Sequence, residues 1–262
     1  MIRFWKSNRL SHDRRVLPRL KSDAVVDTVQ RLAENWQRTC DAVAAAALHA
    51  GRSADSVQIV AVTKGHAANT IQSLLAAGAR QLGESRPQEL WQKAAALSDF
   101  AGLHWHLIGH LQRNKVRRTL PLVQLIHSVD SERLLLALDQ AAAELGKACD
   151  VLLEVNPGTD ASKTGLPPPQ VAGLLETAHG CQWVRVRGLM AMASLDADPQ
   201  QARSEFESVR RLRDDWAAAC RTPHSLNELS MGMSDDFDLA IAAGATIVRI
   251  GSRLFEGLTT TY

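Results

Sequence analysis

The chain has 262 residues, 45% of them hydrophobic, and a formal net charge of +2. That length holds one large domain or two small ones, with a core that needs no disulfide or metal staple. The near-balanced charge excludes nucleic acid and acidic membrane surfaces as principal partners, and no apolar run is long enough to span a bilayer. Four scattered cysteines, Cys40, Cys149, Cys181 and Cys220, form no CxxC pair and no Cys/His metal spacing, as expected of reduced thiols in a cytoplasmic protein. His104, His106 and His110 lie close in sequence, but neither an HExxH motif nor companion cysteines accompany them, so no metal is expected.

Residues 1–21 carry Arg3, Lys6, Arg9, Arg14, Arg15, Arg19 and Lys21 against Asp13 alone. They lack the apolar core of a secretory signal and are expected to form a disordered basic tail, leaving 22–262 as a single domain. A long helix is predicted over 23–50, where Val25, Val29, Leu32, Trp36, Cys40 and Val43 recur at three- and four-residue steps before Gly51. Ile59-Val60-Ala61-Val62 follows, apolar on both faces like a central parallel strand, and it runs straight into Thr63-Lys64-Gly65.

From there the pattern alternates. A helix through Ile71, Leu74 and Leu75 precedes a short strand at 80–82, and a helix over 86–97 precedes a strand at 104–108. A basic helix around 111–118 is ended by Pro121, and strand four is expected at 122–127. Asp130 is expected to cap the next helix, which carries Leu134, Leu135, Leu138 and Leu145 to Gly146. Strand five is expected at 151–155, a helix at 169–179 and strand six at 183–190. A helix over 199–219 precedes strand seven at 226–229. Ser234 is expected to cap a helix that ends at Gly244, before strand eight at 245–250. Eight strands, each followed by a helix, predict a closed (β/α)8 barrel.

Such barrels gather chemistry at the C-terminal strand ends. Here these are Lys64, Glu84, Gly109, His110, Asp130, Asn156, Met190, Ser230, Gly251 and Ser252. Two readings stand for Lys64. It is a solvated surface amine, or it is an amine partly desolvated against its strand and freed to attack a carbonyl as a Schiff-base nucleophile. The stretches Ser230-Met231-Gly232-Met233-Ser234 and Arg249-Ile250-Gly251-Ser252 favour the second. Each sets glycine and serine between a strand end and a helix start, where backbone N–H groups can approach an anion. A phosphate site facing an amine nucleophile suits a phosphorylated aldehyde, and pyridoxal 5'-phosphate meets both needs.

Six stretches, in order, resemble the pyridoxal-phosphate homeostasis proteins, whose barrel is like the N-terminal domain of alanine racemase. They are Ile59 to Gly65, Trp105 to Gly109 with Leu111 to Lys115, Ser162 to Gly165, Arg187 to Ala191, Leu229 to Asp236 and Val248 to Ser252. The resemblance implies a barrel of the alanine racemase N-terminal (fold type III) kind, without the C-terminal β domain. It implies that Lys64 carries pyridoxal phosphate as an internal aldimine. Ser230, Gly251 and Ser252 would hold the phosphate, Arg249 would face the pyridine nitrogen, and Lys163, Asn156 and Met190 would lie at or near the cofactor. Two departures stand out: Ser85-Arg86 where the family has Asn-Tyr, and His110 where proline or a small residue is expected.

An arginine at the pyridine nitrogen donates but does not protonate the ring, which weakens carbanion chemistry. The resemblance thus implies a cytoplasmic, monomeric pyridoxal-phosphate carrier acting in cofactor homeostasis, with PLP-dependent apoenzymes as recipients and without efficient catalysis. The alternatives are a slow PLP-dependent amino-acid racemase, and an aldolase-like barrel binding a phosphorylated sugar through Lys64 or Lys163.

Overall fold

A computed structural model of the chain describes residues 23–158, 164–194, 196–218 and 220–258. The expected tail, 1–21, lies outside these residues, as do Lys163 and Tyr262. The strands are β1 (Gln58–Val62), β2 (Gln81–Glu84), β3 (His104–Leu107), β4 (Val123–Val129), β5 (Cys149–Val155), β6 (Val184–Ala191), β7 (Glu228–Ser230) and β8 (Ile247–Ile250). They close in sequence order into a parallel barrel, with β8 pairing back on β1. The helices around it are α1 (Asp23–His49), α2 (Ala68–Ala76), α3 (Pro87–Ala96), α4 (Val116–Thr119), α5 (Glu132–Leu145), α6 (Val171–His179), α7 (Pro199–Ala217) and α8 (Phe237–Ala242).

The alternation of side chains along each strand splits the core in two. Val60, Leu125, Leu152, Met190 and Ile247 form a small cluster inside the barrel. The larger cluster lies between strands and helices, where Ala61, Leu82, Leu107 and Val151 meet Leu74, Leu90, Leu135 and Phe206. α1 lies over the last part of the chain. Buried Asn35 donates from Nδ2 to the main-chain oxygens of Leu254 and Glu256, both at 3.0 Å.

Several boundaries depart from expectation for local reasons. The predicted 111–118 helix is a 3-10 turn, Arg113–Lys115, followed by the single turn of α4 and a second 3-10 turn around Pro121. Asp130 is not the cap of α5; Ser131 holds that position, and Gly146 ends the helix in the left-handed region at φ 66°. β7 starts two residues later than predicted, because pairing with β6 begins only at Glu228, opposite Gly188. A Cβ on Gly188 would lie 1.8 Å from the Glu228 oxygen, so this approach requires glycine. β6 also carries a bulge, pairing Val151 with Val186 but Leu152 with Gly188. Arg185 and Arg187 flank that region and both donate to Asp150 Oδ1, at 2.6 and 3.0 Å.

Among the described residues no helix is long and apolar enough to cross a membrane.

Candidate functional site

The mouth of the barrel begins where β1 ends. Gly251 lies against Val62, with its Cβ position 3.4 Å from the Val62 Cβ. Lys64 comes two residues after Val62, where β1 lies against the turn that follows β8. Lys64 is exposed, not partly desolvated as expected, because fully buried Thr63 is the last residue on the strand line and Gly65 turns the chain outward at φ 77°.

Both neighbours of Lys64 are tied down from α3. Lys93 Nζ donates to the Thr63 oxygen at 2.8 Å and to Glu84 Oε1 at 2.6 Å, and the Thr63 hydroxyl donates to Glu84 Oε1 at 2.6 Å. The Gly65 N–H points at Glu89 Oε2 at 3.5 Å. Glu84 was expected in the mouth. Its partner Lys93 shows that it instead faces α3, with no exposed surface. Gln81 contacts His106 inside the barrel, so Glu84, three residues on, has the opposite parity. Burial pushes the Glu84 carboxyl up, and the Lys93 and Thr63 hydrogen bonds oppose that rise.

The turns after β7 and β8 meet at Ser234. Its Oγ accepts from the N–H of Gly251 at 3.2 Å and of Arg253 at 3.4 Å. Ser234 is not the helix cap that was expected. α8 begins at Phe237, and Asp236 instead turns back to accept from the Met233 N–H at 2.5 Å. That leaves the Ser234 hydroxyl for the β8 turn. Gly232 allows the loop to fold so closely: it sits at φ 92°, and a Cβ there would lie 2.5 Å from Ala240 Cβ. Ser252 is exposed at the start of the 3-10 turn Ser252–Phe255.

Ser230 lies elsewhere. Its hydroxyl points into the barrel, 2.7 Å from Arg249 Nη1 and 2.9 Å from His127 Nδ1. Ser230, expected with Gly251 and Ser252 at the phosphate, therefore faces the barrel interior, whereas Ser234 meets the turn after β8. Arg249 also donates from Nη1 to the Ser230 oxygen at 2.7 Å and from Nη2 to the Ala191 oxygen at 2.9 Å. All these partners are neutral. Burial pushes the guanidinium down to about 10, opposed by the fields of Asp236 and Glu154, so it stays charged at neutral pH. Three of the five N–H bonds of a guanidinium are thereby engaged.

Beyond Arg249 a cleft of about 480 Å³ opens between the ends of β5 and β6 and the loop after β7. Asn156, Glu154, Thr164 and Met233 line it. Asn156 is buried, and its Oδ1 accepts from the Gly158 N–H at 3.1 Å. Glu154 accepts from the Thr164 hydroxyl at 2.6 Å, and burial pushes its carboxyl up. Met190, expected at the mouth, packs within the barrel at the level of Glu154 and Ser230 and forms its floor. His110 is a surface residue, 3.6 Å from Asp130. His106 is the interior histidine, engaged by His127 and Gln81. Among the described residues no group of three or more His, Cys, Asp or Glu side chains could hold a metal ion.

Three site residues escaped sequence reasoning: Ser234, Glu154 and His127. Strand parity could have found Glu154, two residues before Asn156 on β5, and it pairs His127 with Leu125 on one face of β4. Ser234 lies in the glycine–serine stretch after β7 that the sequence marks, but its side chain reads there as a helix cap, because its partners lie in the next unit.

Fold and site together define a (β/α)8 barrel with an exposed lysine after its first strand and glycine–serine turns that meet after its last two strands. Residues 28–258 match the family model of the alanine racemase N-terminal domain. The pyridoxal phosphate homeostasis protein of Aquifex aeolicus is 41% identical over 178 residues, 68% of this chain and 77% of that protein. That of Pseudomonas aeruginosa is 37% identical over 224 residues, 86% of this chain and 94% of its own. The structure of PipY from Synechococcus elongatus with PLP bound superposes with a TM-score of 0.72 at 40% identity, over 76% of this chain and 92% of that one. The chain belongs to the alanine racemase N-terminal domain family and, within it, to the pyridoxal phosphate homeostasis proteins.

Proposed function

We propose that this protein binds pyridoxal 5'-phosphate through Lys64 and acts in pyridoxal-phosphate homeostasis, holding the cofactor without efficient catalysis. The observation that carries the reading is the convergence of the Gly251 and Arg253 N–H groups on Ser234, beside the strand end that bears Lys64. Relatives named for PLP homeostasis and the PLP-bound PipY structure support it.

The residues present fit the group. A phosphate needs converging N–H donors and a hydroxyl. The Gly251 and Arg253 N–H groups converge on Ser234 Oγ, whose own hydroxyl proton would be left to donate to a phosphate. They would turn to the phosphate only by giving up Ser234. An aldehyde needs an accessible amine, and Lys64 is exposed at the mouth. A pyridine nitrogen needs a donor, and Arg249 has N–H bonds left over. When bound, pyridoxal phosphate supplies an aldehyde that condenses with primary amines and a ring that withdraws electrons. Lys64 provides the anchoring amine, and the Thr63, Lys93 and Glu84 contacts fix the backbone from which it reaches. Ser252 and Asn156 flank the phosphate and ring ends of the mouth. Lys163 belongs to the loop after β5, outside the described residues. Arg249 stays charged at neutral pH and could only donate to the ring nitrogen, so it would give that atom no proton. A ring held this way withdraws electrons weakly, which favours storage over turnover.

We further infer a single barrel domain over 22–262, a cytoplasmic monomer, and PLP-dependent apoenzymes as recipients. The test is covalent mapping. Protein incubated with pyridoxal phosphate should gain a visible absorption band, and borohydride reduction should leave the label on the peptide containing Lys64. Lys64→Ala should lose both. Label elsewhere, or no band, would overturn the cofactor reading. Lys64-dependent racemisation of L-alanine or L-serine at enzymatic rates would overturn the non-catalytic part in favour of a racemase.

A further inference from the structure

The interior of the barrel holds a chain of polar side chains from five different strands. Arg249 Nη1 is 2.7 Å from Ser230 Oγ, which is 2.9 Å from His127 Nδ1. His127 Nε2 is 2.8 Å from His106 Nδ1, and His106 Nε2 is 2.9 Å from Gln81 Oε1. Arg249, Ser230, His127 and His106 are all buried, so the links among these four are shielded from water, whereas the His106–Gln81 link is part-buried.

The direction of the chain follows from its arginine end. A guanidinium only donates, so Ser230 Oγ accepts from Arg249. The Ser230 hydroxyl proton then needs an acceptor, and His127 Nδ1 is the group in reach. With Nδ1 accepting, His127 carries its proton on Nε2 and donates to His106 Nδ1. His106 in turn carries its proton on Nε2 and donates to the Gln81 amide oxygen. The reverse assignment fails. His127 and Arg249 would both donate to Ser230, and the hydroxyl proton would have no partner in the chain. A doubly protonated ring fails too: on His127 it would again leave the Ser230 hydroxyl proton without an acceptor in the chain, and on His106 it would either face the His127 Nε2–H or force His127 into that same reverse assignment. Burial agrees with neutral rings: it pushes His106 down to about 4 and His127 well below its ordinary range.

We propose that His127, oriented by His106, is a positioning residue for Arg249: by accepting the Ser230 hydroxyl proton it turns a Ser230 lone pair toward Nη1 and fixes the guanidinium plane beneath the mouth. This matters because Arg249 has no carboxylate hydrogen-bonded to it among the described residues, so neutral acceptors alone set its orientation. The inference deepens the reading of Arg249 as the partner of the pyridine nitrogen, and rests on that reading only for its optical arm.

The experiment uses full-length protein labelled with ¹⁵N-arginine and free of cofactor, with the Arg249 side-chain signals assigned by their loss in Arg249→Lys. Wild-type protein should show separate, slowly exchanging Arg249 Nη signals. Ser230→Ala and His127→Leu should each speed their exchange by about tenfold, the worth of about one net hydrogen bond. His127→Gln, which can accept from Ser230 and donate to His106, should restore slow exchange. Unchanged Arg249 signals in folded Ser230→Ala overturn the proposal, as does His127→Gln behaving like His127→Leu. If His127→Leu does not fold, Ser230→Ala and His127→Gln still decide. In the optical arm, the pyridoxal-phosphate band of Ser230→Ala should move from that of wild type. A wild type with no band defeats the cofactor reading and leaves the NMR arm to judge the positioning role.

Discussion

Lys93 Nζ lies 2.8 Å from the main-chain oxygen of Thr63, the residue immediately before Lys64. One lysine on α3 therefore holds the backbone that carries the other. It also neutralises Glu84, fully buried behind β2 at 2.6 Å. Removing one partner of a buried pair leaves the other charge uncompensated, at a cost of about 3–5 kcal/mol. Lys93→Met should lower urea stability by that order, while Glu84→Gln/Lys93→Met should recover most of it. Both variants should capture pyridoxal phosphate more slowly, because the Thr63 main-chain oxygen loses its Lys93 donor in each.

Ser234→Ala should weaken binding of the phosphorylated ligand selectively. The serine hydroxyl is where the Gly251 and Arg253 N–H groups converge, so its loss removes about one charge-assisted hydrogen bond and about tenfold in affinity. Equilibrium dialysis with pyridoxal phosphate against pyridoxal measures this. A drop shared equally by both ligands would show that the cradle does not recognise phosphate.

The interior histidines make stability depend on pH. His106 is held down to about 4 by burial and the field of His104, against an ordinary value of 6.5. Between those two values the unfolded chain takes up a proton that the folded barrel refuses. The contribution is therefore complete above 6.5 and declines as pH falls toward 4, by roughly 3 kcal/mol for His106 alone. Urea midpoints measured across this window should fall with acidification. His106→Gln should flatten the slope by about one proton.

Asn35→Ala should loosen the turn after β8 from a distance. Its amide donates to the oxygens of Leu254 and Glu256, and buried acceptors left unpaired cost about 1–3 kcal/mol. Amide hydrogen exchange at Leu254, whose N–H donates to the Gly251 oxygen, should quicken more than exchange in β5.

Much of this architecture is legible along the chain because it is written in short-range periods. The apolar run Ile59 to Val62 and the glycine at 146 announce a strand and a helix end from within a few residues. Strand-end reasoning likewise places Lys64, since position on a strand decides which end of a barrel a residue occupies, whereas the role of Arg249 comes only from the family resemblance. What escapes depends on partners far away in sequence. Ser234 reads locally as a helix cap, and only the packing of the β8 turn against it reveals its other use. Ser230 and Ser234 are four residues apart with similar surroundings, yet one enters the barrel and the other the mouth. Glu84 looks like a mouth residue until parity with Gln81 turns it toward α3. The start of β7 depends on how closely Gly188 admits the Glu228 backbone.

The closure of the barrel also orders events in time. β1 pairs with β8, and α1 is pinned by Asn35 to the turn that follows β8. Lys64 emerges early in synthesis, whereas Arg249 and Gly251 come nearly last. On the proposed reading the amine is thus made long before the turn it would serve, and a nascent chain shorter than β8 would lack the proposed phosphate site. Loading belongs to the finished barrel, and a truncated product of translation would leave the cofactor pool untouched.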